Sequence, residues 1–300
     1  MQFNINKMEK VSGFILLDKP SGLFSRTAGG RIARMLGART FGHIGTLDPM
    51  ASGVLPIAIG CATKMIPFVE DAAPNVKEYL FGVRFGFETA TLDITGDVTA
   101  RTDVVPARDD VVGALGDFIG ETWQVPPAYS AVHVGGTRAY ELARRGREIT
   151  PDARRVRIDE LELLEIRGAQ WIFRMRCGRG TYVRSVARDI ARRCGTLATV
   201  DMIRRTETNG FSIKDAVSLD FLENLVNNGA DFKTFLKPVD FGLGDIPVLN
   251  LADMAADLYR HGGFIETGGA DGLRRVYNGD VFIGIGTVAD GTLRPKRTIE

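Results

Sequence analysis

The sequence contains few of the residues that cross-link a chain or hold it in a membrane. Its 300 residues include only three cysteines, far apart and without C-x-x-C spacing, which excludes a disulfide framework and a typical zinc site. The three histidines are equally scattered. No apolar run approaches the roughly 18 residues that suggest a membrane-spanning helix. These absences predict a cytoplasmic protein with no metal site and no membrane partner.

The sequence also lacks the short signatures of several common enzyme classes. It contains no G-x-S-x-G, no Walker loop, no H-E-x-x-H and no strand-linked G-x-G-x-x-G. Instead, residues 19–47 carry five basic side chains and no acid, and this segment ends at Asp48 in the turn sequence Gly45-Thr46-Leu47-Asp48-Pro49. A carboxylate there could be a reactive group on a polyanion-binding surface, or simply an aspartate bonded to its own turn.

Charge is unevenly distributed along the chain, although the net charge is only +1. Residues 174–205 contain nine arginines and two aspartates, whereas residues 213–258 are acidic. Such segregation can give a nearly neutral protein one basic face, unless the two regions interleave in space. The composition therefore leaves a nucleic-acid partner open.

The clearest helix is predicted over residues 181–194. Arg184, Arg188 and Arg192 recur every four residues along one of its faces. A row of this kind is usually a solvated surface, but none of the three has an acid four residues away. That scarcity of partners favours an anion-binding row.

Periodicity predicts further elements of both types and a change of character near residue 246. Residues 1–10 are predicted to be a polar tail. Glycine-rich strands follow Ile246-Pro247, which predicts a division into residues 1–245 and residues 246–300. The predicted strands are 13–17, 79–86, 156–166 and 171–177, and the predicted helices are 25–36, with Ser25 as its cap, 111–119 and 137–145.

A series of short motifs follows in order across residues 13–211. They are Asp18-Lys19-Pro20-x-Gly22, Gly42-His43-x-Gly45-x-Leu47-Asp48-Pro49, Ala51-x-Gly53-x-Leu55-Pro56, Lys77-x-Tyr79, Gln124-x-Pro126-Pro127-x-Tyr129-Ser130-Ala131, Gly180-Thr181-Tyr182-Val183-Arg184 and Ile203-Arg204-Arg205-Thr206. Together these motifs resemble the TruB family of tRNA pseudouridine synthases.

The resemblance implies an enzyme that isomerises uridine to pseudouridine in the T-loop of tRNA, at tRNA position 55. It implies an α+β fold with a mixed, largely antiparallel sheet and flanking helices in a catalytic domain, residues 1–245. Residues 246–300 would form a small C-terminal PUA-like RNA-binding β-domain. The expected partner is the T-arm of tRNA, no cofactor is required, and a monomer is expected because no strongly apolar surface stripe stands out.

The resemblance also assigns three catalytic positions. Asp48 takes the place of the essential aspartate, Arg184 that of the arginine that pairs with it, and Tyr79 that of the tyrosine that stacks on the target base. An arginine beside the carboxylate would hold it in place for chemistry. Whether Asp48 acts as a nucleophile or as a base stays open.

Five further residues are candidates for substrate binding. By resemblance, His43 inserts into the T-loop stack, Lys19 supplies a basic group and Ile203 an apolar wall. From the residues themselves, Tyr182 could stack on a base, and Arg188 belongs to the predicted anion-binding row.

Three positions depart from the family pattern, and two other functions stay open. Phe24, Ala90 and His133 stand where a small hydroxyl residue, an acid and a lysine are usual. These departures concern RNA contact and loop order rather than the reaction. The same cleft could serve a tRNA-binding or tRNA-folding protein that needs no turnover. A different RNA-modifying or glycosidic enzyme is the third possibility.

Overall fold

The computed structural model describes residues 11–72, 75–230 and 233–299, so the tail predicted at residues 1–10 lies outside the described residues. The chain divides into two compact units. The first unit comprises Met1–Leu47, Val54–Pro74 and Asn209–Glu300, and the second comprises Asp48–Gly53 and Asn75–Thr208. No helix among the described residues is long and apolar enough to cross a membrane.

Helices and strands alternate irregularly along the described residues. The α-helices are α1 (Ser25–Met35), α2 (Ile66–Asp71), α3 (Arg108–Leu115), α4 (Ala139–Arg144), α5 (Val183–Arg193), α6 (Leu219–Asn227) and α7 (Asp253–Arg260). The strands are β1 (Gly13–Lys19), β2 (Phe41–His43), β3 (Ser52–Ile59), β4 (Val76–Phe85), β5 (Phe87–Thr89), β6 (Val98–Arg101), β7 (Gly120–Gln124), β8 (His133–Val134), β9 (Thr137–Arg138), β10 (Arg154–Arg167), β11 (Gln170–Gly178), β12 (Ala198–Thr208), β13 (Phe211–Ser212), β14 (Val217–Ser218), β15 (Val248–Asn250), β16 (Ile265–Glu266), β17 (Gly272–Asn278), β18 (Val281–Ala289) and β19 (Thr292–Thr298).

The second unit is built on a mixed sheet in which β12, β4, β11, β10 and β7 follow one another. All four pairings along this series are antiparallel. On its other edge β12 pairs in parallel with Ser52 and Gly53, the first two residues of β3. Helix α5 packs on β12 and also contacts α3. This arrangement confirms the predicted α+β class with a mixed, largely antiparallel sheet.

Apolar and basic side chains alternate along most of strand β11. Phe173 and Met175 are fully buried, and Phe173 stacks on Phe81 of β4 at a centroid distance of 5.3 Å. Arg174 and Arg176, on the other face, are only partly buried, as the alternation predicts. However, Arg174 pairs with two glutamates of β10, and Arg176 pairs with a glutamate of β12. Acids therefore neutralise this face.

The first unit has two apolar centres. Phe14 of β1 and Val54 of β3 lie in one cluster together with Ile285 and Ile299 from the C-terminal segment. Strands β15, β17, β18, β19 and β16 form a separate five-stranded sheet, and α7 contributes the fully buried Tyr259 to a second cluster there. The predicted β-rich C-terminal segment is confirmed, whereas the domain division at residues 245 and 246 stays a prediction.

Helix α1 begins at the predicted residue but without the predicted cap. Ser25 was expected to cap α1, but it is the first residue of the helix, which follows Phe24. Its hydroxyl donates to the Leu47 carbonyl at 2.9 Å and accepts from the Leu47 N–H at 3.0 Å. A distant backbone partner has replaced the local one, which sequence alone does not reveal.

The parallel pairing of β3 with β12 depends on a glycine at residue 53. Gly53 has φ +109°, and a Cβ built there would lie 2.1 Å from the Arg205 carbonyl oxygen. We expect Gly53→Ala to lower the free energy of unfolding by about 3 kcal/mol or more, because strain and overlap act together. Gly168 is the matched control, with φ +58° and open space around it. Gly168→Ala should cost only about 1 kcal/mol in urea unfolding, and equal losses would contradict the role of Gly53.

Candidate active site

The start of α5 places Arg184 in the second unit. Tyr182 directly precedes the helix. The side chain of Gln124 on β7 forms two hydrogen bonds with the backbone of Tyr182. The Tyr182 N–H donates to Gln124 Oε1 at 2.8 Å, and Gln124 Nε2 donates to the Tyr182 carbonyl at 3.2 Å. Because Gln124 is buried, these bonds are shielded from water and fix where the helix begins.

The Arg184 guanidinium is held at both of its ends. Its Nη2 lies 2.8 Å from Asp48 Oδ2, and its Nη1 lies 3.3 Å from Asp93 Oδ2. Nη1 also donates to the Thr91 carbonyl at 2.7 Å, and Nη2 donates to the Tyr129 carbonyl at 3.1 Å. The arginine side chain is 4% exposed, whereas the Asp48 side chain is 37% exposed. The site therefore presents an accessible carboxylate on a buried, rigid support.

Asp93 was not among the residues that sequence reasoning selected. Its side chain is 6% exposed, and Oδ1 accepts from Thr91 Oγ1 at 2.9 Å and from the Thr95 N–H at 3.0 Å. Leu92, immediately before it, has φ +62°, a conformation that costs free energy for a leucine. The only sequence signal was its position three residues after Ala90, one of the departures from the family pattern.

Tyr79 lies on β4 of the second unit, opposite Arg205 of β12 in the strand pairing. Burial raises the pKa of Tyr79 to about 12, the Arg205 guanidinium opposes that rise, and the Cys177 thiol and the Asp48 carboxylate add to it. Tyr79 is thus a neutral phenol near neutral pH. Ile203 is buried on the neighbouring strand β12, two residues before the partner of Tyr79 in the pairing. Phenol, apolar wall and carboxylate all belong to the second unit.

This arrangement can perform chemistry on a flat, neutral ring system. The exposed oxygen of Asp48 can attack an electrophilic carbon or remove a proton, and Arg184 restricts its direction. A tyrosine ring and an isoleucine side chain offer apolar surfaces for stacking and packing against a base. These are the features required for a flipped-out nucleobase.

The expectation of one anion-binding arginine row along α5 is wrong. Arg188 is buried, with Nε 2.8 Å from Asp189 Oδ1 and Nη2 donating to the Val125 carbonyl at 2.9 Å. Arg192 is 59% exposed and lies 3.8 Å from a carboxylate oxygen of Glu88. The partners come from adjacent or distant positions, so a search four residues away could not find them. RNA contact by Arg188, as first predicted, has no support in this geometry.

The remaining candidates are placed as follows. Tyr182 is partly buried at the start of α5 in the second unit. Lys19 and His43 belong to the first unit. The buried Lys19 Nζ donates to the carbonyls of Pro20 at 2.9 Å and Leu23 at 2.7 Å, and His43 Nε2 lies 3.2 Å from Thr46 Oγ1.

Solved structures share this fold. The chain superposes with a TM-score of 0.69 on a chain from the "Crystal Structure of a Cbf5-Nop10-Gar1 Complex", at 24% identity and covering 95% of this chain and 84% of that one. A chain in "Structure of H/ACA RNP bound to a substrate RNA containing 2'-deoxyuridine" gives 0.68 at 23% identity, covering 96% and 84%. Both likenesses show the fold, and the sequence matches that follow show the class, a pseudouridine synthase and therefore an isomerase.

Sequence comparison then gives the family. The family description "TruB family pseudouridylate synthase (N terminal domain)" matches residues 33–183, and "Pseudouridine synthase II TruB, C-terminal" matches residues 247–299. Proteins named tRNA pseudouridine synthase B are similar in Caulobacter vibrioides, at 44% identity over 82% of this chain and 79% of that protein, and in Gluconacetobacter diazotrophicus, at 40% over 96% and 97%. The chain belongs to the TruB family.

Arg188 and Arg192 of α5 should differ in how much each contributes to stability. We expect Arg188→Ala to lower the free energy of unfolding by about 2 kcal/mol, because it removes a buried charge that satisfies Asp189 and Val125. Arg192→Ala, the matched control, should change it by less than about 0.5 kcal/mol because its ion pair is largely solvated. Urea unfolding of both variants measures this, and equal effects would refute the assigned difference.

Proposed function

We propose that this protein isomerises uridine to pseudouridine in the T-loop of tRNA. The observation that carries the proposal is the 2.8 Å ion pair between Arg184 and the accessible Asp48. The buried Tyr79 belongs to the same unit. The names of relatives that align along almost the whole chain support tRNA as the substrate. The precise nucleotide rests on the resemblance of the motifs alone.

The reaction needs an enclosed site and no net oxidation or reduction. The bond from C1′ of the ribose to N1 of uracil breaks, the base rotates, and a new bond forms from C1′ to C5. The proton on C5 is lost and a proton is gained at N1, so the product is an isomer. The uridine must first leave its stack, which costs a few kcal/mol that RNA contacts must offset.

Each second-unit residue has a role in this scheme. Asp48 supplies the reactive carboxylate, as nucleophile or as base, and Arg184 orients it. Asp93 holds the far end of Arg184, so it acts through the arginine as a positioning residue. Tyr79 stacks on the base, and Ile203 forms the apolar wall.

Contacts outside the reacting base are assigned to other residues. Lys19 supplies a positive charge, His43 enters the T-loop stack, and Tyr182 offers a further stacking surface. The PUA-like C-terminal segment is proposed to bind RNA as well. A cytoplasmic location and a monomeric state stay predictions.

Mapping of pseudouridine in an unmodified tRNA transcript tests the proposed function directly. With the wild-type protein, we expect a new signal at the T-loop uridine. Asp48→Asn should abolish the signal, because the amide can neither attack nor accept the proton, while binding to the tRNA weakens by less than about tenfold. Substantial turnover by Asp48→Asn would refute the role of this residue.

The same experiment separates the other functions. Tight tRNA binding without any pseudouridine would favour the tRNA-folding protein. Product at a different nucleotide, or loss of the base, would favour another RNA-modifying or glycosidic enzyme. The T-loop assignment would be wrong in both cases.

The support that Asp93 gives to Arg184 predicts an effect on turnover. Asp93→Asn should lower kcat by about tenfold or more with little change in KM, because Arg184 loses one ionic contact and with it the geometry of Asp48. Asp201 is a matched control in the same unit, since its side chain is also 6% exposed and lies 2.6 Å from Arg84. Asp201→Asn should keep kcat within about twofold. A similar loss of kcat in both variants would indicate a general structural effect.

A further inference from the structure

Arg205 is a fully buried arginine to which the proposed reaction assigns no role. It lies on β12, directly opposite Tyr79 of β4 in the strand pairing. Side chains of directly opposed residues lie on the same face of a sheet, with their Cβ atoms about 5 Å apart. Because the guanidinium is closed off from solvent, it is not available to an RNA phosphate, the usual partner of an arginine in such a protein.

The Arg205 guanidinium hydrogen-bonds the Tyr79 hydroxyl. Arginine has only donors, so the phenol oxygen must accept this bond. The hydroxyl proton of Tyr79 is therefore directed away from Arg205. The Asp48 carboxylate contributes to the raised pKa of Tyr79, although burial is the main cause.

Burying a guanidinium is unfavourable, so the hydrogen bond of Arg205 to a phenol is informative. Burial lowers the pKa of Arg205, and the neighbouring Tyr79 opposes this fall. A buried arginine kept only for packing could be replaced by an apolar side chain at no loss. Its position against the phenol instead constrains the rotation of the ring and the direction of the hydroxyl proton.

We propose that Arg205 is a positioning residue for the isomerisation, acting through the hydroxyl of Tyr79. By occupying the phenol oxygen as a donor, it leaves the phenol proton to be donated to a carbonyl oxygen of the flipped uracil. The ring then cannot rotate freely against the stacked base. This inference rests on the proposed function and adds a role for the hydroxyl to the stacking role of the ring.

A double-mutant cycle tests this assignment, with kcat and KM from steady-state reactions and single-turnover reactions for the slowest variants. In the wild-type background, Arg205→Met should lower kcat by about tenfold or more with KM within about twofold, and Arg205→Lys should recover part of the loss. In the Tyr79→Phe background, Arg205→Met should change kcat by less than about twofold, because the hydroxyl is already absent. With enzyme in excess, slow variants can be followed for hours.

Arg204 provides the control, since it is the neighbouring arginine on β12 and lies 3.4 Å from Ser52 Oγ. Arg204→Met should change kcat by the same factor in both backgrounds. If Arg205→Met also lowers kcat by the same factor in both backgrounds, it acts independently of the hydroxyl and the inference is overturned.

Urea unfolding of the same four proteins separates this inference from the proposed function. Arg205→Met and Tyr79→Phe should be non-additive in the free energy of unfolding, because they share one hydrogen bond. Additive values would overturn the inference, whatever the activity. Non-additive unfolding without coupling in kcat would leave only a structural role and also overturn it. Absence of pseudouridine with the wild-type protein would refute the proposed function, and the unfolding cycle would still decide whether the contact exists.

Discussion

The second unit depends on one buried cation. Arg184 joins three segments that are far apart in sequence, the turn at Asp48, the loop around Asp93 and the backbone at Tyr129. Removing a guanidinium from water costs several kcal/mol, so it must be matched by acceptors on both of its ends. A lysine could not replace it, because one ammonium cannot span two carboxylates and two carbonyls in a plane. The chemistry of the site and its stability therefore share one side chain.

The same requirement explains how the protein uses its charges. Residues 174–205 are strongly basic in sequence, yet six of their nine arginines have an acidic partner in the structure: Arg174, Arg176, Arg184, Arg188, Arg192 and Arg193. Most of that positive charge is neutralised by salt bridges within the protein. A net charge of +1 is consistent with this, because a basic segment that is neutralised in place contributes little to the long-range field. Local charge counts consequently overstate how much of the surface can attract RNA.

Sequence reasoning succeeded where the signal is local. Strand β11 and helix α5 were both predicted from sequence patterns. The short motifs selected Asp48 and Arg184, which form the 2.8 Å ion pair, and also Tyr79. The catalytic roles of these three residues stay predictions. It failed where a partner is distant. Asp93 pairs with the guanidinium of Arg184, 91 positions later in the chain. Ser25 does not cap its helix but hydrogen-bonds the backbone of Leu47. No periodicity in a single sequence encodes such pairings.

The residues of the candidate site differ in their exposure to solvent. Asp48 is 37% exposed, whereas Arg184 and Tyr79 are buried and Arg205 is closed to solvent. In the proposed reaction, the atom that meets the substrate is accessible. The groups proposed to direct it are withdrawn from water, where hydrogen bonds are stronger and fewer orientations are allowed. A base that enters such a site meets a carboxylate and a phenol with fixed directions. That fixed geometry allows a detached uracil to rotate and rejoin the ribose through carbon before it escapes.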